Sequence, residues 1–551
     1  MKKSFHNSLP NSLYEMFIKT QQTYPNKTFL HMNQNFSINY GNFYRKIIKQ
    51  RNFLIQQNIS KGDVVVIIGK NTSRYIYSLL AINSIGAIAF PINEEEQLDV
   101  ISYLIGSVCP KLIFNSTNKS VNRSQINIKE INHEKINFNS YLDVVNIDTE
   151  PDLSEQNIST YFATSGTSGM PKIVPLTNNN IISNIYATQK CANYGLETVI
   201  GPNDSVFSML PFNHSYGSTI LYTAILNGAS FYKNNDLNNL RTNMLHLNPT
   251  IFCTVPKFFE QLHKKTSNVH SIISKMPIKM QTQTNKFMLN NIFGNNIRFS
   301  TVGGAAMSAN LFDYFNNNLG LKIYQGYGST ECSPMISLCN DLAENSNSLK
   351  NRKFSNILSV GKILECNNVF IDTSEIDKNL TDLYKNEIDD KYQIGEILVC
   401  GTNVMTNYHG YSNKISHKFI NSLHYYKTGD IGFIDENNNL YVLGRLKEQF
   451  KLSNGKFVDH VKIENLLLTI PEIQQVVVFG KDQEYLSAII VTESNESIIK
   501  NKIKEIKHNF KKYEIPQKII LTNKPFTTEN GLLTQKKSLK RIQIIQKYAN
   551  V

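Results

Sequence analysis

Several features that are common in other protein classes are missing from this sequence of 551 residues. It has only seven cysteines, an odd number, and no two of them form a Cys-x-x-Cys pair. That pattern excludes a disulfide framework and a structural zinc site, and it predicts a reducing compartment. The first residues include two lysines but no apolar core of signal-peptide length, so no secretory signal is expected. We therefore expect a cytoplasmic protein.

The sequence also lacks an uninterrupted apolar segment long enough to cross a membrane. Its most apolar run, Tyr75 to Ile92, is interrupted by Ser78 and Asn83 and closed by Pro91, which predicts a buried helix followed by a strand. No long basic run precedes the C-terminal segment, although the net charge is +13. We therefore expect no nucleic-acid partner, whereas anionic substrates and peripheral contact with a membrane stay open.

The length of the chain predicts at least two domains. Apolar runs such as Val64 to Gly69 are typical of buried parallel strands, and strands alternate with helices from Asp204 to Gly328, including a short helix expected over Lys257 to Leu262. We predict an α/β protein with a large N-terminal domain (residues 1–446) of two doubly wound α/β subdomains plus a β-rich subdomain. A small mobile α+β C-terminal domain (residues 447–551) is expected to follow.

One loop lies at the centre of the segment YFATSGTSGMPKIVPLT, Tyr161 to Thr177, after which a helix is expected. Glycine lets backbone N–H groups turn toward an anion, hydroxyls add donors, and Lys172 adds a charge that can reach a phosphate. The spacing excludes the P-loop of NTPases. An ordinary surface turn is the alternative, and the Pro-Lys ending favours a phosphate loop. Its candidate phosphate-binding residues are Thr164, Ser165, Gly166, Thr167, Ser168, Gly169 and Lys172.

A second motif, YQGYGSTECSP, follows an expected strand. Tyr327 offers a face on which adenine can stack, Thr330 a hydroxyl for a phosphate, and Glu331 a hard oxygen for Mg²⁺. Each residue alone can be explained as a turn tyrosine, a capping threonine or a surface glutamate. Their combination after a strand indicates a nucleotide site.

These motifs resemble those of the adenylate-forming superfamily of AMP-dependent synthetases and ligases, which includes acyl-CoA synthetases, aryl-CoA ligases, luciferases and the adenylation domains of peptide synthetases. The resemblance covers nearly the whole chain, and its strongest segment is Tyr425 to Val458. Gly395 to Tyr408 supports it with an expected structural role. The sequence departs from the family pattern at Ile173, where relatives have glycine, and at Asn178, where they have histidine.

The resemblance implies roles for individual residues. Asp430 would bind the ribose hydroxyls, Arg445 would add a nucleotide contact, and Lys447 falls at the family's hinge. Thr164 and Glu331 are assigned to Mg²⁺, and catalytic roles fall to His214, Thr330 and Glu331. The remaining nucleotide contacts are assigned to Gly303, Gly304, Ala305, Tyr327 and Gly328.

Two further segments bear on the acid substrate. LPFNHSYG, Leu210 to Gly217, resembles the acyl and aryl branch of the superfamily and places His214 near the carboxylate, where amino-acid-activating relatives have an aspartate. The alternative for a lone histidine is a packed or capping role. FKLSNGKFV and ENGLLTQKKSLKR resemble long-chain acyl-CoA synthetases, which favours a fatty acid.

The catalytic lysine of the superfamily has no aligned counterpart in this chain. Relatives have a lysine four residues after a threonine and three before an arginine, where it stabilises developing charge. Counted without gaps between Thr534 and Arg541, that position is Ser538. A slip of one residue places Lys537 there, and we assign Lys537 on that basis. Lys536, or a solvated basic tail without a catalytic role, are the alternatives.

The resemblance implies a reaction in two halves. A carboxylate attacks the α-phosphate of Mg·ATP, giving an acyl-adenylate and pyrophosphate; after a domain rotation, CoA or the phosphopantetheine of a carrier protein takes the acyl group. The expected function is therefore a fatty acid–CoA ligase. An acyl-AMP ligase that loads an acyl carrier protein and an aryl-acid–CoA ligase are alternatives. A catalytically degenerate nucleotide-binding homologue is a third, because of Ser538, Ile173 and Asn178.

Overall fold

The structure is a computed structural model. It describes residues 9–33, 36–117, 128–137, 153–164, 170–195, 199–234, 238–339, 358–374, 376, 381, 384, 388–411, 417–533 and 539–549. In this part of the chain, no helix is both long and apolar enough to span a membrane.

Helices and strands alternate along the first two thirds of the chain. Up to residue 195 they are α1 (Leu13–Thr23), β1 (Thr28–Asn33), β2 (Phe36–Asn39), α2 (Tyr40–Gln56), β3 (Val64–Ile68), α3 (Ser73–Asn83), β4 (Ile88–Ile92), α4 (Leu98–Val108), β5 (Leu112–Asn115), β6 (Lys129–Ile131), β7 (Ile158–Thr164), β8 (Lys172–Thr177) and α5 (Asn178–Gly195). They continue with β9 (Ser205–Ser208), α6 (Ser215–Leu226), β10 (Ser230–Lys233), α7 (Leu240–Leu247), β11 (Ile251–Thr254), α8 (Pro256–Ile273), α9 (Ile278–Phe293), β12 (Phe299–Val302), α10 (Ala309–Asp313), β13 (Ile323–Gly328) and β14 (Met335–Leu338).

The last third is richer in strands. Its elements are β15 (Ser359–Ile363), β16 (Asn367–Asp372), β17 (Gly395–Gly401), β18 (His417–Ile420), β19 (Leu423–Ile434), β20 (Asn439–Arg445), β21 (Phe450–Lys451), β22 (Phe457–Val458), α11 (His460–Leu467), β23 (Gln475–Phe479), β24 (Ser487–Val491), α12 (Glu496–Glu505), β25 (Lys518–Thr522) and α13 (Arg541–Ala549).

The described residues form two compact units. The larger comprises residues 1–369, 399–426 and 435–441, and the smaller comprises 370–398, 427–434 and 442–551. The predicted α/β class, with a large N-terminal part and a smaller C-terminal part, is confirmed. The domain boundary between residues 446 and 447 stays a prediction.

The larger unit contains a six-stranded sheet in the order β6-β5-β3-β4-β7-β8. Its strands are parallel except for β8, which pairs with β7 in an antiparallel hairpin. The two central strands, β3 and β4, are almost entirely buried apolar residues, as expected for parallel strands covered on both faces. This sheet holds the hairpin that brackets the predicted phosphate loop.

A second sheet in the larger unit has a core of six parallel strands, in the order β1-β10-β9-β11-β12-β13. After β9 the chain adds β10 on one side and later β11 on the other. The strand order therefore reverses at β9, and ligands of open α/β sheets bind beside such a switch point, at the carboxyl ends of the strands. The topology therefore predicts that a ligand binds beside the segment that follows β9.

The smaller unit has its own sheet and core. Strand β24 pairs antiparallel with β23 and parallel with β25. One apolar cluster packs α11 and α12 against this sheet, and a second packs α13 against it. The predicted α+β character of the C-terminal region is confirmed.

One helical prediction was wrong in length. The helix expected over Lys257 to Leu262 extends from Pro256 to Ile273 and is followed by a second helix, α9, that was not predicted. Both helices lie between β11 and β12. Their outer faces expose several large apolar residues, which obscure the one-sided pattern of an amphipathic helix.

Lys233, the last residue of β10, is a buried lysine that sequence reasoning did not single out. Its ammonium group donates hydrogen bonds to the carbonyl oxygens of Met209, at 3.1 Å, and Asn234, at 2.8 Å. Burial lowers the pKa of Lys233 to about 7, because the charged form loses its hydration. These bonds fix the chain where it leaves β9.

We expect Lys233 to make the protein more stable as pH rises from about 7 to 10.5. In that interval the unfolded chain holds the lysine proton and the folded chain does not, so raising the pH favours the folded state by up to about 1.4 kcal/mol per pH unit. In Lys233→Met this contribution should be absent, whereas the exposed Lys70→Met should retain it. Urea denaturation at a series of pH values measures the difference, and identical slopes in Lys233→Met and wild type would contradict it.

Candidate functional site

The second sheet described above, with the parallel core β1-β10-β9-β11-β12-β13, is the main sheet of the larger unit. Three predicted site segments leave it at the same edge. Strands β9, β12 and β13 all belong to the parallel core of this sheet, so their carboxyl ends point the same way. The chain passes from β9 into Leu210 to Gly217, from β12 into Gly303 to Ala305, and from β13 into the 3-10 turn Thr330–Cys332. The fold thus brings together motifs that are far apart in the sequence.

The segment after β9 folds into a tight turn and the start of a helix. His214 is half-buried and is the N-cap residue of α6. A Cβ atom at Gly217 would lie 2.2 Å from the carbonyl oxygen of Pro211, so only glycine allows this turn. The hydroxyl of Ser215 donates a hydrogen bond of 3.3 Å to Thr330 Oγ1. Two predicted catalytic residues, His214 and Thr330, are therefore joined through Ser215.

The glycine pair after β12 lies against an aromatic residue of α6. A Cβ atom at Gly303 would lie 3.1 Å from the ring of Tyr216, whose hydroxyl is hydrogen-bonded to Thr301 Oγ1 at 3.1 Å. Gly304 has a φ of +79°, in the region that favours glycine. Gly304 and Ala305 are exposed, so their backbone is accessible to a ligand.

The end of β13 presents the remaining predicted adenine contacts. Tyr327 is half-buried, whereas Gly328 is exposed. A Cβ atom at Gly328 would lie 1.8 Å from the carbonyl oxygen of Pro334, which excludes any larger residue. The close approach sets the direction in which the chain enters the turn that contains Thr330 and Glu331.

Glu331, the predicted Mg²⁺ ligand, is a buried residue held by hydrogen bonds from Met405 and Tyr408. The hydroxyl of Tyr408 donates a 2.9 Å hydrogen bond to Glu331 Oε1, and the Met405 N–H donates to the Glu331 carbonyl oxygen at 2.8 Å. Burial, the Glu331 charge and Tyr408 together raise the pKa of Tyr426 well above its usual value. The Tyr408 hydroxyl therefore fixes the direction of the Glu331 carboxylate.

The two residues that bracket the predicted phosphate loop are paired. Thr164 and Lys172 lie opposite each other in the β7-β8 hairpin, and Thr164 Oγ1 donates to the Lys172 carbonyl oxygen at 3.3 Å. The Lys172 ammonium nitrogen lies 4.5 Å from the ring centroid of Tyr408 and 5.7 Å from that of Tyr411, which are cation–π distances. The loop residues Ser165, Gly166, Thr167, Ser168 and Gly169 lie outside the described residues.

Tyr408 is the site residue that sequence reasoning missed. It contacts Glu331 through its hydroxyl and Lys172 through its ring. The only signal in the sequence is its place at the end of the segment Gly395 to Tyr408, for which a structural role was predicted. A tyrosine in such a segment does not reveal which side chains it will contact.

In the smaller unit, the two predicted ribose and nucleotide residues form an ion pair. Asp430 is buried on β19, and its carboxylate lies 3.0 Å from the Nε atom of Arg445, at the end of β20. The backbone N–H of Asp430 donates to Thr428 Oγ1 at 3.0 Å, which fixes the local turn. Both residues are thus near each other and held in place.

The predicted catalytic Lys537, like Lys536 and Ser538, lies outside the described residues. Leu533 and Leu539, on either side, form an antiparallel bridge. Arg541 donates two hydrogen bonds to the buried carboxylate of Glu464, one of them 2.8 Å long, and the Val478 N–H donates to the same carboxylate at 2.6 Å. The start of the last helix is therefore anchored to α11.

An apolar cavity of about 50 Å³ lies beside the motif that follows β9. Its walls include Tyr216, Thr219 and Ile220 of α6, together with Gly326 and Met335. A Cβ atom at Gly326 would lie 2.3 Å from the methyl carbon of Met335, so this glycine leaves room for the methionine side chain. The cavity begins two residues beyond His214 on the same helix.

Comparison with known proteins gives a consistent assignment. A family model described as "AMP-binding enzyme" matches residues 17–409, and one described as "AMP-binding enzyme C-terminal domain" matches residues 447–551. Long-chain-fatty-acid–CoA ligase 5 of Mus musculus is 26% identical over 439 residues, covering 71% of this chain and 61% of the relative. The chain thus spans about three fifths of the length of that relative. Long chain acyl-CoA synthetase 3 of Arabidopsis thaliana is 24% identical over 92% of this chain and 85% of its own length.

Solved structures show the same fold. One is the O-succinylbenzoate coenzyme A synthetase of Bacillus subtilis in complex with ATP and magnesium ion. It superposes with a TM-score of 0.73 at 19% identity, over 96% of this chain and 98% of that chain. ATP-bound MatB from Rhodopseudomonas palustris has a TM-score of 0.75 at 18% identity, over 98% and 99% of the two chains.

Proposed function

Because this chain belongs to the family of AMP-binding enzymes, we propose that it activates a fatty acid with ATP and transfers the acyl group to CoA. The observation that carries the proposal is the meeting of three motif segments at one sheet edge, beside the switch point at β9. The relatives named as long-chain fatty acid ligases and acyl-CoA synthetases support the choice of acid and acceptor.

In the first half-reaction, a carboxylate oxygen of the acid bonds to the α-phosphorus of ATP while the bond from that phosphorus to pyrophosphate breaks. The rate would come from positioning and from stabilising negative charge, with no covalent step on the protein. Lys172 and the hydroxyl of Thr330 would bind phosphate oxygens, and the exposed backbone at Gly304 would allow the purine to approach. Asp430 and Arg445 would bind the ribose side of the nucleotide.

Glu331 fits the role of a magnesium ligand. One of its carboxylate oxygens accepts from Tyr408, which orients the group and leaves the other oxygen for an ion. Mg²⁺ in nucleotide sites commonly takes one or two carboxylates plus substrate phosphates, so a single buried glutamate suffices. When bound, the ion would neutralise phosphate charge. Thr164, the second residue assigned to it, contacts the Lys172 carbonyl through its hydroxyl.

In the second half-reaction, the thiol of CoA bonds to the acyl carbonyl carbon, AMP leaves, and the thiol proton goes to solvent. His214, at the N-cap of α6, would lie near the acid carboxylate, and the apolar cavity lined by Tyr216 and Thr219 of α6 would receive the start of the alkyl chain. A carrier-protein phosphopantetheine presents the same thiol chemistry, so the acceptor is a point that the experiment must decide.

The first test is ATP–pyrophosphate exchange with a panel of acids: acetate, intermediate fatty acids, palmitate, benzoates and amino acids. We expect exchange that depends on fatty acids and on Mg²⁺, followed by thioester formation when CoA is added. Exchange without transfer to CoA, but with transfer to an acyl carrier protein, would correct the acceptor. ATP binding with no exchange for any acid would overturn the enzyme and leave a nucleotide-binding homologue.

We further expect Tyr408→Phe to raise the Mg²⁺ concentration for half-maximal exchange roughly ten-fold, because a lost partner of a metal ligand commonly weakens metal binding by 10–100-fold. The substitution keeps the ring that contacts Lys172 and removes only the hydroxyl that holds Glu331. Magnesium titration of the exchange rate at saturating ATP and acid measures the effect.

Tyr411→Phe is the matched control for Tyr408→Phe, because Tyr411 also lies near Lys172 but is more exposed. Its magnesium dependence should stay within about two-fold of wild type. If Tyr408→Phe lowered the unfolding temperature and left the magnesium titration unchanged, the residue would be structural only.

We also propose a cytoplasmic location. All seven cysteines are thiols that take part in no disulfide, which suits a reducing compartment. Microscopy of a fluorescent fusion tests this, and accumulation in an oxidising compartment or an organelle would contradict it.

A further inference from the structure

The helical hairpin formed by α8 and α9 has one face in the core of the larger unit. Phe259 of α8 and Leu289 and Phe293 of α9 belong to the apolar cluster beneath the main sheet. The hydroxyl of Tyr314 donates a 2.9 Å hydrogen bond to Thr266 on α8. These inward contacts attach the hairpin to the sheet, so its outward side chains are not needed for the fold.

The outward side and the tip of this hairpin expose large apolar side chains. Ile278 is 81% exposed, Phe287 71% and Ile272 64%, and Met280 and Val269 are about half exposed. Val269 and Ile272 are three residues apart on α8, and Met280 and Phe287 are seven apart on α9, so each pair shares a helix face. Single exposed apolar residues are ordinary, but a group of this size on one hairpin marks an interaction site.

The same hairpin is strongly basic. From Gln261 to Phe312 the sequence contains no aspartate or glutamate. Within this stretch, five exposed lysines lie on the two helices and the turn between them: Lys264, Lys265, Lys275, Lys279 and Lys286. The hairpin therefore presents its apolar side chains among positive charges.

The tip of the hairpin is held closed. The side-chain amide of Gln281 donates hydrogen bonds to the carbonyl oxygens of Ser274, at 3.0 Å, and Met276, at 2.7 Å. These bonds fix the turn between the helices. Ile278 and Lys279, the first residues of α9, are thus presented together on a supported tip.

We propose that the outer face of the α8–α9 hairpin binds the surface of an anionic phospholipid membrane. Apolar side chains such as Met280 and Phe287 would enter the headgroup and acyl boundary, while the lysines would meet the lipid phosphates. This combination of apolar area and cationic charge is the chemistry of an interfacial helix.

Two other partners fit the face less well. A symmetric dimer formed through it would oppose the same lysines on both copies, and the one carboxylate of the hairpin, Glu260, already pairs with Lys257. Nucleic acid would match the charge but not the exposed aliphatic residues Ile272 and Ile278, which gain nothing from a phosphate backbone. A membrane satisfies both the charge and the apolar side chains.

The test is flotation of the full chain with two kinds of vesicle. One is phosphatidylcholine alone, and the other mixes phosphatidylcholine and phosphatidylglycerol in a ratio of roughly three to one. We expect binding to the anionic vesicles that weakens with salt. The double variant Met280→Ser with Phe287→Ser should bind them at least about ten-fold more weakly, because two large apolar side chains no longer leave water. Lys275→Gln with Lys279→Gln should weaken binding by roughly five-fold per lysine.

Phe419→Ser is the matched control, because Phe419 is 64% exposed in the same unit and lies on β18, away from the hairpin in sequence. It should bind vesicles like wild type, and all variants should keep the wild-type melting temperature. No binding of wild type to anionic vesicles, or equal binding of the Met280 and Phe287 variant, would overturn the proposal. A fall in oligomeric state in that variant without loss of vesicle binding would assign the face to a second copy, and would equally overturn it. None of these readouts depends on catalysis.

Discussion

Replacing Glu331 with glutamine should lower ATP–pyrophosphate exchange by roughly 100-fold or more, because charge stabilisation by a bound metal ion contributes several kcal/mol. The substitution preserves the shape of the side chain. The Tyr408 hydroxyl can still donate to the amide oxygen, as it does to Glu331 Oε1 at 2.9 Å. What is lost is the negative charge that a divalent cation requires.

The measurement that isolates this effect is the exchange rate as a function of Mg²⁺, together with ATP binding by calorimetry. We expect the Glu331→Gln deficit to persist at high Mg²⁺, whereas the Tyr408→Phe deficit should be overcome there. A neutral substitution at a buried carboxylate could also change stability, so the unfolding temperature is compared in parallel. Exchange within about two-fold of wild type would remove Glu331 from the metal site.

Lys537→Ala should have an effect of similar size, about 100- to 1000-fold on the adenylation half-reaction, if this lysine stabilises charge on the carboxylate and α-phosphate. ATP binding should survive, because the ribose and phosphate contacts are elsewhere. Lys536→Ala is the neighbouring control and should change exchange little. The three alternatives for this segment then give distinct results. Exchange is lost in the Lys537 variant if Lys537 is catalytic, in the Lys536 variant if Lys536 is catalytic, and in neither variant if the tail has no catalytic role.

The first residue of the last helix, Arg541, bears on which lysine fills the catalytic position. Arg541, the arginine from which the family spacing is counted, is already bonded to Glu464, so it has a fixed partner inside the smaller unit. The variant Ser538→Lys places a lysine at the position given by counting without gaps, and so tests whether a lysine there increases exchange. An increase in exchange would show that this chain is a weakened member of its family. Loss of activity in the Ser538→Lys variant would support the slipped register.

Much of the fold could be predicted from sequence because its signals are local. The buried runs of β3 and β4, the helix that begins after Thr177 and the strand before Tyr327 each depend on neighbouring residues, and the structure confirms them. The sequence also allowed us to predict that the segments containing His214 and Thr330 meet, because parallel strands direct their carboxyl ends to one edge.

Contacts between distant segments could not be predicted in the same way. The ring of Tyr408 reaches Lys172, and its hydroxyl reaches Glu331, across separations that no periodicity encodes. The length of α8 was missed for the opposite reason. Exposed Val269 and Ile272 make its outer face resemble a core face, so local pattern alone gives no clear stripe.

The double contact of Tyr408 has a thermodynamic consequence. One side chain touches both the carboxylate proposed for the metal and the lysine proposed for the phosphates. Whatever free energy couples the occupancy of these two positions must be reciprocal: if metal strengthens nucleotide binding by some factor, nucleotide must strengthen metal binding by the same factor. A single tyrosine would then make the site respond to the metal–nucleotide complex as one ligand, and it would discriminate against either component alone.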